Sequence, residues 1–262
     1  MNLDLIGKHA LICGGSQGIG RAAAIELAAF GADVTLLARS RESLDAALVA
    51  LPKTHPAQRH ASVAVNMRDR ASLRAKVAAA ANAQPVQILV NNSGGPPSGP
   101  AASASTEEYL AAFNQHLIAA QTLLQAVLPG MQATGYGRII NVISTSVKEP
   151  IPNLGISNTI RGAIASWAKT LAGELGAHGI TVNNVLPGLT QTQRLEQLLT
   201  DSSKATGRNI DDIAQEMLAT VPVGRFAKPS DVANMIAFLA TPAAAYVNGV
   251  NVPVDGGLTH SL

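Results

Sequence analysis

Short, almost unbroken apolar runs recur along the chain, separated by longer alanine-rich stretches. His9-Ala10-Leu11-Ile12-Cys13, Asp33-Val34-Thr35-Leu36-Leu37, Ala61-Ser62-Val63-Ala64-Val65 and Val86-Gln87-Ile88-Leu89-Val90 have the length and continuity of strands buried on both faces. Arg138-Ile139-Ile140-Asn141-Val142-Ile143, Thr181-Val182-Asn183-Asn184-Val185 and Val250-Asn251-Val252-Pro253-Val254 continue the series. Seven such strands alternating with segments of helical length predict an α/β fold, a doubly wound, seven-stranded parallel sheet flanked by helices. Ser105-Thr106-Glu107-Glu108 has the spacing of a capping box, so a helix is expected to begin there. Residues 189–222 are more polar, carry an Asp201-Ser202-Ser203 break, and are expected to form a mobile flap over the site. With no internal repeat and no linker rich in Pro, Gly and Ser, residues 1–262 read as a single domain.

Composition supports one large core: of 262 residues, 47% are hydrophobic and 14% charged. The formal net charge of +2 comes from scattered residues, which gives no electrostatic footprint for nucleic acid. Cys13 is the single cysteine, so no internal disulfide and no cysteine-rich zinc site can form, and a reducing interior is compatible. His9, His55, His60, His116 and His178 show no metal-ligand spacing, so no metal is expected. The N-terminus lacks the pattern of a secretory signal, and no apolar run approaches the roughly 18 residues of a membrane span, which leaves the cytoplasm as the expected location.

The candidate chemistry begins after the first strand. Gly14-Gly15-Ser16-Gln17-Gly18-Ile19-Gly20 leads directly into a helical segment. Glycine at 14, 18 and 20 lets the backbone turn tightly and approach a pyrophosphate, while the helix N-terminus offers unpaired N–H donors. Nineteen positions after Gly20, where an acidic residue would bind a ribose 2′-hydroxyl, stands Arg39. A guanidinium there, with Ser40 or Arg41, favours a 2′-phosphate, and hence NADP over NAD. The plainer reading of Arg39 is a solvated side chain at a strand end.

Four motifs, in order, carry a resemblance that spans nearly the whole chain. The glycines at 14, 18 and 20 resemble TGxxxGxG, with Cys13 where threonine is usual; Asn91-Asn92-Ser93-Gly94 resembles NNAG; Pro187-Gly188-Leu189-Thr190-Gln191-Thr192 resembles PGxxxT; and Val254-Asp255-Gly256-Gly257 resembles VDGG. Together they are similar to the classical short-chain dehydrogenase/reductases, 3-oxoacyl-carrier-protein reductase among them, and imply a Rossmann fold. The resemblance implies a cofactor site made from Gly14, Ser16, Gln17, Gly18, Ile19, Gly20, Arg39, Ser40, Asn66, Met67, Asn92, Ser93, Gly94, Pro187, Gly188, Thr190 and Thr192. Asn66 stands where the family has an adenine-contacting aspartate, and a plain turn role fits it equally. The resemblance also implies a homotetramer.

The same resemblance assigns catalysis to asparagine, serine, tyrosine and lysine. Asn114 matches the asparagine that orders a relay water, and an exposed helical amide is the equally weighted alternative. Ser144 matches the serine that bonds the substrate oxygen. Counted from Ser144, the tyrosine and lysine of YxxxK should fall at 157 and 161, where this chain has Ser157 and Arg161. A spacing of four keeps the two on one helix face. Their chemistry differs, because an aliphatic hydroxyl has no accessible ionised form and arginine stays protonated. Lys148 is a candidate substitute proton source, although a surface lysine paired with Glu149 is the favoured reading. The functional expectation is an NADP-dependent oxidoreductase acting on a carbonyl or an activated C=C of a small molecule. The alternative is a catalytically impaired NADP-binding protein with a regulatory or assembly role.

Overall fold

The computed structural model describes residues 1–261. Seven strands, β1 (His9–Cys13), β2 (Asp33–Ala38), β3 (His60–Ala64), β4 (Ile88–Asn91), β5 (Gly137–Val142), β6 (Ile180–Pro187) and β7 (Asn251–Val254), form one sheet. Its order is β3-β2-β1-β4-β5-β6-β7 and every pairing is parallel. The expected strands therefore all form, displaced by no more than two residues at their ends. The order reverses between β1 and β4, and in sheets of this kind the crevice beyond the carboxyl ends of the strands at that point holds ligands.

The helices are α1 (Gly18–Ala29), α2 (Arg41–Val49), α3 (Arg70–Ala83), α4 (Thr106–Phe113), α5 (Ala119–Thr134), α6 (Gly155–Leu175), α7 (Gln193–Thr206), α8 (Ile210–Ala219) and α9 (Pro229–Ala240). On one face of the sheet, Ala23, Ala24, Leu27 and Ala28 of α1 pack with Ala233, Ile236, Ala237 and Ala240 of α9, where short side chains let the two helices approach closely. On the other face, α3, α5 and α6 cover Leu11, Leu89, Ile139 and Val182. The capping box at Ser105 forms as expected, with Ser105 and Glu108 each accepting the other's backbone N–H. The Asp201-Ser202-Ser203 segment does not break its element. It lies inside α7, and residues 189–222 contain two helices, α7 and α8.

A row of asparagines crosses the sheet from the carboxyl ends of β4 and β5 to the start of β7. Asn91 donates to Asn141 Oδ1 (2.9 Å), Asn141 to Asn184 Oδ1 (2.8 Å), and Asn184 to Asn251 Oδ1 (2.7 Å). The four residues are directly paired in the register of β4, β5, β6 and β7. Asn141 is 1% exposed, so its amide is satisfied only by its two neighbours' side chains. The Oδ1 of Asn91, at the end of the row, is buried without a protein partner.

Replacing Asn141 by Ala orphans one donor and one acceptor in a dry environment. The expected loss is about 2–4 kcal/mol in urea denaturation, with the Asn91→Ala/Asn141→Ala double variant losing less than the sum of the two single variants. Strict additivity would show that the row does not act as a connected unit.

Candidate active site

The crevice at the switch point is walled on one side by the glycine loop. Gly14 and Gly18 have φ of +61° and +53°, the left-handed region that L side chains rarely adopt. The loop is also tight: a Cβ on Gly20 would lie 2.2 Å from the Gly14 carbonyl oxygen, and one on Gly14 would lie 2.8 Å from that of Asn92. Asn92 fastens β4 to the loop, donating from Nδ2 to the Cys13 and Gly14 carbonyls at 3.3 and 3.5 Å. Gln17 precedes α1 in an extended conformation and its side chain makes no cap, so the first-turn N–H groups stay uncapped toward the crevice. Cys13 itself is core, and burial pushes its thiol up to about 12.

At the end of β2, Arg39 is exposed and makes no interaction with any described residue, whereas Arg41 reaches Ser62 (3.0 Å) and Asp45 (3.9 Å). The Ser40 hydroxyl caps α2, accepting from the Ser43 N–H. Asn66 makes a turn, accepting from the Arg68 N–H, and Met67 lies farther in, against the space below Arg161. Across the crevice, Gly188 packs on Asp255, Thr190 donates to the Gly188 carbonyl, and Thr192 leads into α7 over Gly18. Gln17 and Gln193 join the loop to the start of α7 through a 3.0 Å hydrogen bond.

The other end of the crevice collects Ser144, Ser157 and Arg161. Ser144 follows β5 and starts a short 3-10 turn, its hydroxyl accepting from the Ser146 N–H. Ser157 and Arg161, one turn apart on α6, are 8% and 7% exposed. Arg161 donates from Nη1 to the carbonyl of Val142, the last residue of β5 (3.2 Å). Burial, with the nearby charge of Arg194, lowers its pKa to about 10. Lys148 is half-buried just beyond Ser144. Glu149, the acid expected beside it, accepts from the backbone N–H groups of His260 and Ser261.

Asn114 is not part of this group. It ends α4 with its side chain exposed, so the alternative weighed for it, a solvated helical amide, is the one its position fits. Two residues on, within a single π-helical turn (Asn114–Ile118), His116 is 4% exposed and turned inward. Its Nδ1 lies 2.7 Å from Ser93 Oγ, and its Nε2 is buried without a protein partner. His116, Asn91, Ser93, Asn141 and Arg161 line a cavity of ≈ 20 Å³, about the space of one water. Burial, then the charges of Arg161 and Arg68, lower the His116 pKa to about 3. A sequence signal for His116 existed: Ala112, His116 and Ala120 share the buried face of the α4–α5 segment at a spacing of four, and Asn114 lies off it.

The match to known proteins follows this geometry over almost its full length. Residues 14–259 match the family model described as enoyl-(acyl carrier protein) reductase. The chain belongs to the short-chain dehydrogenase/reductase family. It is 33% identical over 258 residues to L-xylulose reductase of Cavia porcellus, covering 98% of each chain. It is 34% identical over 261 residues to 3-oxoacyl-acyl-carrier-protein reductase of Vibrio cholerae, covering 98% of this chain and 99% of that one. L-sorbose reductase from Gluconobacter frateurii, solved with NADPH and L-sorbose, superposes with a TM-score of 0.92 at 31% identity over the whole of both chains. Among the described residues of this short-chain dehydrogenase/reductase, no helix is long and apolar enough to cross a membrane.

The depressed pKa of His116 has a sign that can be checked. The unfolded histidine takes up a proton below about 6.5 while the folded one stays neutral to about 3, so stability is full above 6.5 and falls as pH drops through that window. His9 and His60, also lowered by burial, act in the same direction. His116→Asn should therefore reduce the loss of stability between neutral and acid pH, and the His116 ring resonances should not titrate between pH 8 and 5. A titration midpoint near 6.5 would contradict the buried, neutral assignment.

Proposed function

We propose that the protein is an NADP(H)-dependent oxidoreductase that moves hydride between the nicotinamide and a carbonyl or activated C=C of a small molecule. The observation that carries the cofactor choice is Arg39, an exposed guanidinium at the end of β2 with no partner among the described residues, beside the switch-point crevice and with no carboxylate in that place in the sequence. The residues present fit the group: a glycine loop too tight for side chains, an uncapped helix N-terminus for a diphosphate, and an exposed guanidinium for a 2′-phosphate. Relatives named as reductases, one of them solved with NADPH, support turnover rather than a regulatory nucleotide-binding role.

In this reading the α1 N–H groups and the Gly14–Gly20 loop hold the diphosphate. Arg39 and Ser40 take the 2′-phosphate, and Asn66 and Met67 border the adenine side. Asn92, Ser93, Gly94, Pro187, Gly188, Thr190 and Thr192 bound the nicotinamide half. The cofactor supplies hydride when bound. Ser144 and Ser157 donate hydrogen bonds to the oxygen on which negative charge grows, and Arg161 adds a fixed positive field in a water-poor setting. Neither Ser157 nor Arg161 is a ready proton source, so this site suits a reaction that leaves an enolate, protonated on carbon from water or from Lys148.

NADPH oxidation, followed by absorbance against ketones and enones, tests the reading. Arg39→Asp should weaken NADPH by roughly 10- to 100-fold, one charge-assisted contact, and improve NADH. Ser144→Ala should lower kcat by roughly 10²- to 10³-fold, as loss of an oxyanion donor does. Preference of the unaltered protein for NADH, or turnover indifferent to Ser144, would sink it.

A further inference from the structure

A second cation reaches the reacting end of the crevice from the flap. Arg194, the second residue of α7, donates from Nη2 to the Pro96 carbonyl at 2.8 Å. Its guanidinium lies flat on Gly95, where a Cβ would come within 3.3 Å of Nε and 3.5 Å of Cζ. Ser93, two residues earlier, lines the same cavity as Arg161, so the Gly95–Pro96 segment carries Arg194 toward Arg161.

Neither guanidinium has a carboxylate within 4 Å among the described residues. Among the described residues each makes a single hydrogen bond, in both cases to a backbone carbonyl, of Val142 or of Pro96. Arg161 is almost wholly buried and Arg194 is half-buried. Asp201, whose charge acts on Arg194, accepts a hydrogen bond from Gln197. The pKa of each arginine is pulled down, that of Arg161 by burial and by Arg194 itself, and that of Arg194 by burial against a small opposing pull from Asp201. Two like charges brought out of water without a counter-ion oppose folding, and an anionic ligand offsets that cost.

We propose that the substrate of this site carries a carboxylate, held by Arg194 from the flap over Arg161. The planar guanidinium suits bidentate pairing with a carboxylate, and the cofactor's own phosphates are already met by the α1 N-terminus and Arg39 on the reading given above. That reading enters only in assigning those phosphates.

The test is calorimetric titration of the NADPH-loaded and of the cofactor-free protein with benzoate, phenylpyruvate and 2-oxo-4-phenylbutanoate, each beside its ethyl ester. At least one acid should bind tenfold or more tightly than its ester. Arg194→Gln, which keeps a donor for Pro96 but no charge, should abolish that preference while the NADPH affinity stays within twofold, and Arg194→Lys should restore part of it. Equal binding of every acid and ester, or no binding of any acid, overturns the proposal. So does a preference that survives Arg194→Gln, or an Arg194→Gln effect that falls on NADPH instead. Failure to bind NADPH with the acid preference intact would overturn the oxidoreductase reading and leave this one standing.

Discussion

The asparagine row across β4, β5, β6 and β7 is the interaction on which the geometry of the site rests. A parallel sheet buried on both faces has no polar surface of its own to fix how far one strand slides past the next. Here each side-chain amide reads the strand beside it, Asn91 to Asn141 to Asn184 to Asn251, and a slip in register would leave buried amide groups unpaired. Because the row lies near the carboxyl ends of β4 and β5, it also sets the level at which Asn92 and Ser144 leave the sheet. Those departures form the crevice.

The row ends where polar groups are least satisfied. Asn91 Oδ1 and His116 Nε2 are both buried without protein partners beside the cavity that Arg161 lines. A sheet strengthened by fully paired amides thus finishes at a place where pairing is incomplete, and such places are where folds give up stability for chemistry. The π turn between α4 and α5 belongs to the same arrangement, since it brings His116 to the inner face beside Ser93.

Charge at the reacting end has one sign. Arg161 and Arg194 bring positive charge, His116 is kept neutral by burial and by the charges of Arg161 and Arg68, and Asp201 accepts from Gln197. A site of this kind stabilises negative charge wherever it develops or arrives, on an oxygen during hydride transfer or on an acidic group of the ligand. On the proposed reading it is poorly equipped to pass protons, because serine and arginine stand at 157 and 161.

The sequence alone determined the alternation of strands and helices, the glycine loop, the register that placed Ser157 and Arg161 on one helix face, and Arg39 in place of an acid. These are local: they depend on residue type at a fixed spacing within one element or one turn, and spacing survives translation into space. It missed His116 and Arg194, and weighed the asparagine role for Asn114 equally against a solvated helical amide. It also took Asp201-Ser202-Ser203 for a break, although the helical context of α7 outweighed the weak propensity of three polar residues. Only the tertiary structure decided that four asparagines from separate strands meet in one row, that His116 rather than Asn114 turns inward, and that Arg194 reaches Gly95 from nearly a hundred residues away. Each of these depends on long-range register and on which side of a helix is covered, and a linear pattern does not record where two distant segments are brought together by the sheet between them.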